Sequence, residues 1–226
     1  MKAGIRWGMV IDLRKCFGCG ACVVACAEAN QITPNLWRRV FDCGVGSPPE
    51  RQRLYLPLSC MHCHEPPCEK VCPTTATFKR ADGIVDIDSA KCIGCGYCIV
   101  ACPYFARAII FLNEYNLENR LMAGASKSGV NTTNYIGTST KCNFCRPRID
   151  AGLEKGLEPG EDPDASPACV INCTAEALTF GDLNDPKSRV AQLVRENHTV
   201  CLQEALDTQP SIHYIVDPEN FHNKMC

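Results

Sequence analysis

Lys91-Cys92-Ile93-Gly94-Cys95-Gly96-Tyr97-Cys98-Ile99-Val100-Ala101-Cys102-Pro103 sets three cysteines two residues apart, adds a fourth after three more, and closes on a proline. This C-x2-C-x2-C-x3-C-P run is the ligand pattern of a cubane [4Fe-4S] cluster. Three closely spaced thiolates on a tight loop cap three corners of one cube. Gly94 and Gly96 supply the positive φ and the close backbone approach that such a loop needs. The fourth cysteine is expected to open the next helix and point away, and in two-cluster ferredoxins it serves the neighbouring cluster.

Working outward, the same pattern recurs. Cys16, Cys19, Cys22 and Cys26 form a first group, and DLRKCFGCGACVVAC overlays DSAKCIGCGYCIVAC at an offset of 76 residues. The match implies duplication of one cluster-binding unit. The first group departs from the motif's closing proline, with Ala27 where the third group has Pro103. A second group, Cys60, Cys63, Cys68 and Cys72, widens its middle gap to four residues to hold Pro66 and Pro67. A fourth begins at Cys142 and Cys145 and ends, after a 23-residue spacer, at Cys169 and Cys173. The fourth is the least regular, and its weight comes from the first group's need for a partner. Cys43, Cys201 and Cys226 match no motif.

Composition narrows the classes. Nineteen cysteines in 226 residues would suit a secreted disulfide scaffold, but the count is odd, the chain is long, and sixteen of the thiols fall into four tight groups. A net charge of −2 gives no footprint for nucleic acid. No apolar run reaches the length of a membrane span. The stretch before Cys16 has no room for an export signal, and the Arg38-Arg39 pair is internal and does not serve as one.

Between the groups the pattern predicts a strand from Trp7 to Ile11, a short helix over residues 22–30, and a hairpin from Leu36–Phe41 and Arg53–Leu58 with a long tip. A second hairpin turns at Asp82-Gly83. An apolar segment, Ala106 to Leu112, leads into a polar stretch to residue 140 that reads as loop. The spacer of the fourth group reads as a surface excursion. A strand at Ala175–Phe180 is followed by a helix capped by Asp185 with Pro186 as its first residue. The tail from Asp217 reads as loosely held.

Only residues 73–91 separate the second and third groups, the layout of a small two-cluster ferredoxin. The expected ligation is therefore nested and crossed. Cys60, Cys63, Cys68 and Cys102 hold one cube, and Cys92, Cys95, Cys98 and Cys72 hold another. Cys16, Cys19, Cys22 and Cys173 hold a third, and Cys142, Cys145, Cys169 and Cys26 the fourth. Pairing the first group with the second and the third with the fourth remains formally open. The fold class expected is α+β: two interleaved bacterial-ferredoxin-like units with a pseudo-two-fold repeat, short helices and β-hairpins. Residues 60–102 form the inner unit, and 1–59 with 103–226 the outer. His62 and His64 are read as supporting or surface residues, because a Rieske centre needs two separated Cys/His pairs. A zinc ribbon would leave the extra cysteines without a role. Lys15, Lys91 and Lys141 each precede a group, either as potential-tuning charges or as solvated loop residues.

With these residues in hand, the chain resembles the four-cluster iron-sulfur electron-transfer subunits of the molybdopterin oxidoreductases related to dimethyl sulfoxide reductase. The resemblance covers roughly residues 5–215. It rests on the order of the groups, the wide second gap, the long fourth spacer and the stretch Phe180-Gly181-Asp182-Leu183-Asn184-Asp185-Pro186. It implies four [4Fe-4S] clusters and a non-catalytic relay between a large molybdenum or tungsten bis-pterin catalytic subunit and a quinone-linked membrane subunit or a soluble carrier. Assembly is expected in the cytoplasm, with membrane association or folded export through partners. The alternatives are a free-standing polyferredoxin that shuttles electrons by diffusion, and a zinc-structured interaction module.

Overall fold

The computed structural model describes residues 4–44, 53–110 and 136–218. Strand β1 (Trp7–Asp12) leads into the first cysteine loop and helix α1 (Ala21–Asn30). β2 (Arg39–Asp42) and β3 (Tyr55–Leu58) pair antiparallel, Arg39 opposite Leu58. The second cysteine group follows, carrying the single turn α2 (Pro67–Lys70). Next come β4 (Thr77–Lys79) and β5 (Val85–Ile87), paired antiparallel across the Asp82-Gly83 turn, and α3 (Tyr97–Val100). β6 (Ala108–Ile109) pairs antiparallel with β7 (Ser139–Thr140), and the fourth group opens after it. Beyond lie α4 (Arg146–Glu154), α5 (Ala168–Ile171), β8 (Leu178–Asp182), α6 (Arg189–Glu196), β9 (Thr199–Val200) and β10 (Ile212–Ile215).

The main sheet runs β8-β1-β10-β9. β1 pairs antiparallel with β8 (Met9 opposite Phe180) and parallel with β10 (Met9 opposite Ile212). All six β1 residues are buried, as a central strand covered on both faces should be. Its alternation decides what each face meets. Trp7, Met9 and Ile11 enter the core that also holds Cys22, Cys26, Cys60, Cys63, Cys142 and Cys169. Val10 turns the other way, onto Val190 of α6 and Ile215. Burying side chains such as Met9, Ile11 and Ile212 contributes roughly 1.5–3 kcal/mol each before conformational costs, so this strand anchors the first cysteine loop from behind.

Most expected elements appear, and five details differ. The third cysteine of a group, not the fourth, opens its helix: Cys22 and Cys98 are second residues of α1 and α3, while Cys26 lies a turn further along α1 and Cys102 just beyond α3. The spacer of the fourth group contains α4, held because Ile149 is fully buried and Gly152 packs closely on Ala165. Helix α6 is capped by Ser188, whose Oγ accepts from Ala191 N at 3.2 Å, and not by Asp185, which instead accepts from Lys187 N at 2.9 Å in the preceding turn. Ser188 wins because its hydroxyl also donates to the Asp182 carbonyl at the end of β8. Strand β10, unanticipated, enters the middle of the sheet through a contact some two hundred residues away in sequence. The expected loop up to residue 140 and the tail fall largely outside the described residues, and Ser139 and Thr140 belong to β7.

Candidate metal centre

The glycines behave as the loop chemistry requires. Gly18 and Gly94 have φ of 75° and 68°, and Gly20 and Gly96, which precede α1 and α3, have φ of 75° and 79°. The first and third cysteine loops therefore share a left-handed backbone at both glycines, in keeping with their overlaid sequences.

The sixteen group cysteines are all free thiols. Their neighbours sort them. Cys16 has Cys173 and Cys19 beside it. Cys26 has Cys142, Cys169 and Cys145. Cys63 has Cys60, Cys68 and Cys102. Among the other four cysteines, Ser139 from β7 donates its N–H to Cys92 Sγ at 3.4 Å and its Oγ lies 3.3 Å from Cys98 Sγ, while Thr77 N–H donates to Cys72 Sγ at 3.4 Å. Contacts between sets run in sequence: Cys22 neighbours Cys169, Cys142 neighbours Cys60, and Cys68 packs with Cys98 around Val85. Fourteen of the sixteen are buried or half-buried; Cys19 and Cys95, at equivalent places in the repeat, are exposed.

Electrostatics bear on what these thiols can hold. Burial pushes the Cys22 and Cys142 thiols up to about 11 and Cys63 up to about 12, and Cys26 is raised further still. Thiolates in such surroundings need a cationic partner, and soft sulfur donors suit zinc and iron-sulfur clusters alike. Among the described residues no three His, Cys, Asp or Glu side chains converge on a single ion point. Cys72 is the exception in direction: despite some burial, N–H groups of Thr77, Thr74 and Ala76 and the Thr74 hydroxyl hold its thiol below the ordinary value. Ala177 N–H donates to Cys173 Sγ at 3.3 Å in the matching place, and Asn30 Nδ2 reaches Cys145 Sγ at 3.6 Å.

The supporting residues were only partly legible. Of the lysines ahead of the groups, Lys15 and Lys91 are exposed, as solvated loop residues would be. Lys141 is 3% exposed, and its Nζ donates to the carbonyls of Val85 and Cys142. The two histidines also part. His64 is exposed. His62 is fully buried, accepts from Val85 N at 3.1 Å through Nδ1, and stacks on Phe144 with ring centroids 3.7 Å apart. Burial, with Lys141 and Arg107 nearby, holds its pKa well below the usual value, so it is neutral. Sequence reasoning missed Arg38 and Arg107, since the first stands out only as half of a pair unsuited to export. Both are buried among thiols, at 1% and 6% exposure.

A family model described as a 4Fe-4S dicluster domain matches residues 51–116, and one described as a 4Fe-4S binding domain matches residues 7–28. The chain is 40% identical over 223 residues to the B chain of the selenate reductase of Mesobacillus selenatarsenatis, covering 93% of this chain and 72% of that protein. It is 38% identical to a putative dimethyl sulfoxide reductase iron-sulfur subunit of Halobacterium salinarum (93% and 79% covered). It is 37% identical to the iron-sulfur cluster-binding subunit of menaquinone reductase from Nitratidesulfovibrio vulgaris (93% and 89% covered).

Proposed function

This chain belongs to the family of [4Fe-4S] electron-transfer subunits of multi-subunit oxidoreductases, non-catalytic chains that work beside catalytic partners, and we propose that within such a complex it is a four-cluster relay with its electron ports at Cys19 and Cys95. The four ligand sets are Cys16, Cys19, Cys22 and Cys173; Cys26, Cys142, Cys145 and Cys169; Cys60, Cys63, Cys68 and Cys102; and Cys72, Cys92, Cys95 and Cys98. The thiol neighbours favour this crossed arrangement over pairing the first group with the second. Bound in these cages, [4Fe-4S] clusters supply one-electron transfer without bond making in the protein. The chain's own residues set the order, exclude water from the two middle sets and leave the two end sets near the surface.

The pseudo-two-fold reading draws on the strand pairing. Each half runs from a strand (β1 or β5) through a cysteine loop, a helix, a hairpin (β2–β3 or β6–β7), a second cysteine group and a returning strand (β4 or β8). β4 pairs with β5 and β8 with β1, which supports reading an inner unit 60–102 within the outer.

The observation that carries the relay is the exposure of Cys19 and Cys95 alone among sixteen. Exposed apolar side chains lie near each in sequence, Phe17 and Val24 at one end, Ile93, Tyr97 and Val100 at the other. Such patches mark protein contacts. We assign one end to a large molybdenum or tungsten bis-pterin subunit, from kinship with the selenate and dimethyl sulfoxide reductase chains. The other end meets a quinone-linked membrane subunit, from kinship with the menaquinone reductase chain. Among the described residues no helix is long and apolar enough to cross a membrane; in this reading membrane association comes through a partner.

The test is anaerobic purification of the complex from native cells, with iron, zinc, molybdenum and tungsten counted per chain and co-purifying proteins identified. About sixteen irons, with molybdenum or tungsten and a large partner, is the expected result. Zinc without iron sinks the reading. Iron with neither heavier metal nor partner replaces the subunit with a free carrier.

A further inference from the structure

Two arginines lie inside the thiol array in matching places. Arg38 immediately precedes β2 and Arg107 immediately precedes β6, each the first strand of the hairpin joining an odd cysteine group to the next even one. Each donates from Nη2 to the third cysteine of an even group: Arg38 to Cys169 Sγ at 3.5 Å, Arg107 to Cys68 Sγ at 3.1 Å. The thiols near enough to act on Arg38 as thiolates include Cys169, Cys142, Cys22 and Cys26, and for Arg107 Cys68, Cys60 and Cys98. Each guanidinium thus faces one buried middle set together with the third cysteine of the adjoining end set, Cys22 or Cys98. Among the described residues neither makes an ion pair with a carboxylate. Arg107 also donates to Thr77 Oγ1 at 3.1 Å, whereas Nε and Nη1 of Arg38 have no hydrogen-bond partner. A guanidinium stays charged at any pH a protein survives. Burying one without a counter-charge is strongly unfavourable, and the nearby groups able to carry negative charge are the thiolates.

We propose that Arg38 and Arg107 are the internal counter-ions of the relay, each placed at the junction of a middle and an end set to make reduction of the two clusters it faces easier. The inference rests on the four-cluster reading above. One electron enters each cluster on reduction, no protein bond changes, and no proton moves because the arginine is charged in both states. A fixed cation in a poorly polarisable interior favours the more negative state. Among the described residues Lys141 is a third buried cation; it is tied to two carbonyls and donates to no thiol, although it also acts on Cys68 through space.

The complex is purified with Arg38→Gln, Arg38→Lys, Arg107→Gln or Arg107→Lys in this chain. Each sample is titrated anaerobically while the electron paramagnetic resonance of the reduced clusters is read against ambient potential, and its iron is counted. With Arg38→Gln, two of the four signals are expected to shift so that the oxidised-to-reduced ratio at the wild-type midpoint rises about tenfold, 59 mV for one electron. Arg107→Gln is expected to move the other two. Both lysine variants should stay within about threefold of wild type. A glutamine variant that loses iron while its lysine counterpart keeps it also supports a charge requirement. Wild-type midpoints in both glutamine variants with iron intact, equal shifts in all four signals, or iron loss as complete in lysine as in glutamine variants each overturn the proposal and leave the four-cluster reading standing. A wild-type complex far short of sixteen irons removes that reading and this proposal together.

Discussion

Alanine at Gly94 should damage the third cysteine loop far more than alanine at Gly96, although both glycines have left-handed backbone and flank the same Cys95. The φ values are 68° and 79°. For an L-residue that conformation costs roughly 1–2 kcal/mol, a charge common to both variants. Space separates them. A Cβ at Gly96 meets only Ile109 Cδ1 at 3.9 Å, an ordinary contact, whereas one at Gly94 falls 2.1 Å from the Gly137 carbonyl oxygen. That oxygen must retreat by about 1 Å or more, at an overpacking cost of roughly 1–3 kcal/mol. It belongs to the segment whose Ser139 N–H donates to Cys92 Sγ and whose Gly137 N–H closes on the Ile110 carbonyl at 2.9 Å. The expected totals are about 1–2 kcal/mol for Gly96→Ala and about 2–5 kcal/mol for Gly94→Ala, a difference of about fivefold or more in the population of the opened loop. The assay is the rate at which an iron chelator bleaches the visible absorption of the anaerobic complex, which follows local opening. Equal bleaching rates, or a worse Gly96→Ala, would refute the steric argument.

Crossed ligation gives a second expectation: Cys26→Ala lowers iron by about four per chain, adding Cys145→Ala removes little more, and adding Cys19→Ala removes about four more. If Cys19→Ala adds nothing to Cys26→Ala, the first group holds its own fourth ligand. Trp37 is 3% exposed and donates from Nε1 to Thr140 Oγ1 at 2.8 Å, joining the segment before β2 to β7. Trp37→Phe should lower stability in denaturant titration of the complex by about 1–3 kcal/mol, and an unchanged midpoint would show that the bond contributes nothing. Asp12 is depressed although burial works against its charge, because Arg14 donates to it at 2.9 and 2.8 Å through its side chain and at 3.0 Å through its amide. A lowered folded-state value means stability that is present above the unfolded carboxylate pKa of about 3.9 and lost as pH falls through the folded one. Asp12→Asn should therefore be less stable than wild type at neutral pH and converge on it below about pH 4; parallel pH–stability curves would contradict this.

Much of the site was written locally. Thiol spacing, the glycines between the thiols and the 76-residue repeat belong to contiguous segments, so the two odd groups could be read as one loop conformation used twice. The Asp82-Gly83 hairpin and the alternation of β1 were equally local. Ser188 was overlooked as the cap of α6 because Asp185-Pro186 is the stronger pattern on paper. The serine's bond to the Asp182 carbonyl exists only once β8 is in place. Helix α4 was hidden because its apolar face is short, and Ile149 and Gly152 matter through what they pack against.

The candidate ligands, then, were read from the sequence, because three thiols on one loop can gather only around something close by. Which loop lends its fourth thiol to which neighbour was a matter of chain proximity, and there the sequence could only weigh linker lengths. Tertiary structure alone decided three things. It inserted β10 beside β1, a parallel pairing no local pattern announces. It sorted Lys141 from Lys15 and Lys91, and His62 from His64, by burial. It also carried Arg38 and Arg107, each a polar member of a mostly apolar stretch, into the thiol array. A buried charge is stable only where opposite charge converges on it, and here that charge comes from cysteines scattered over much of the chain.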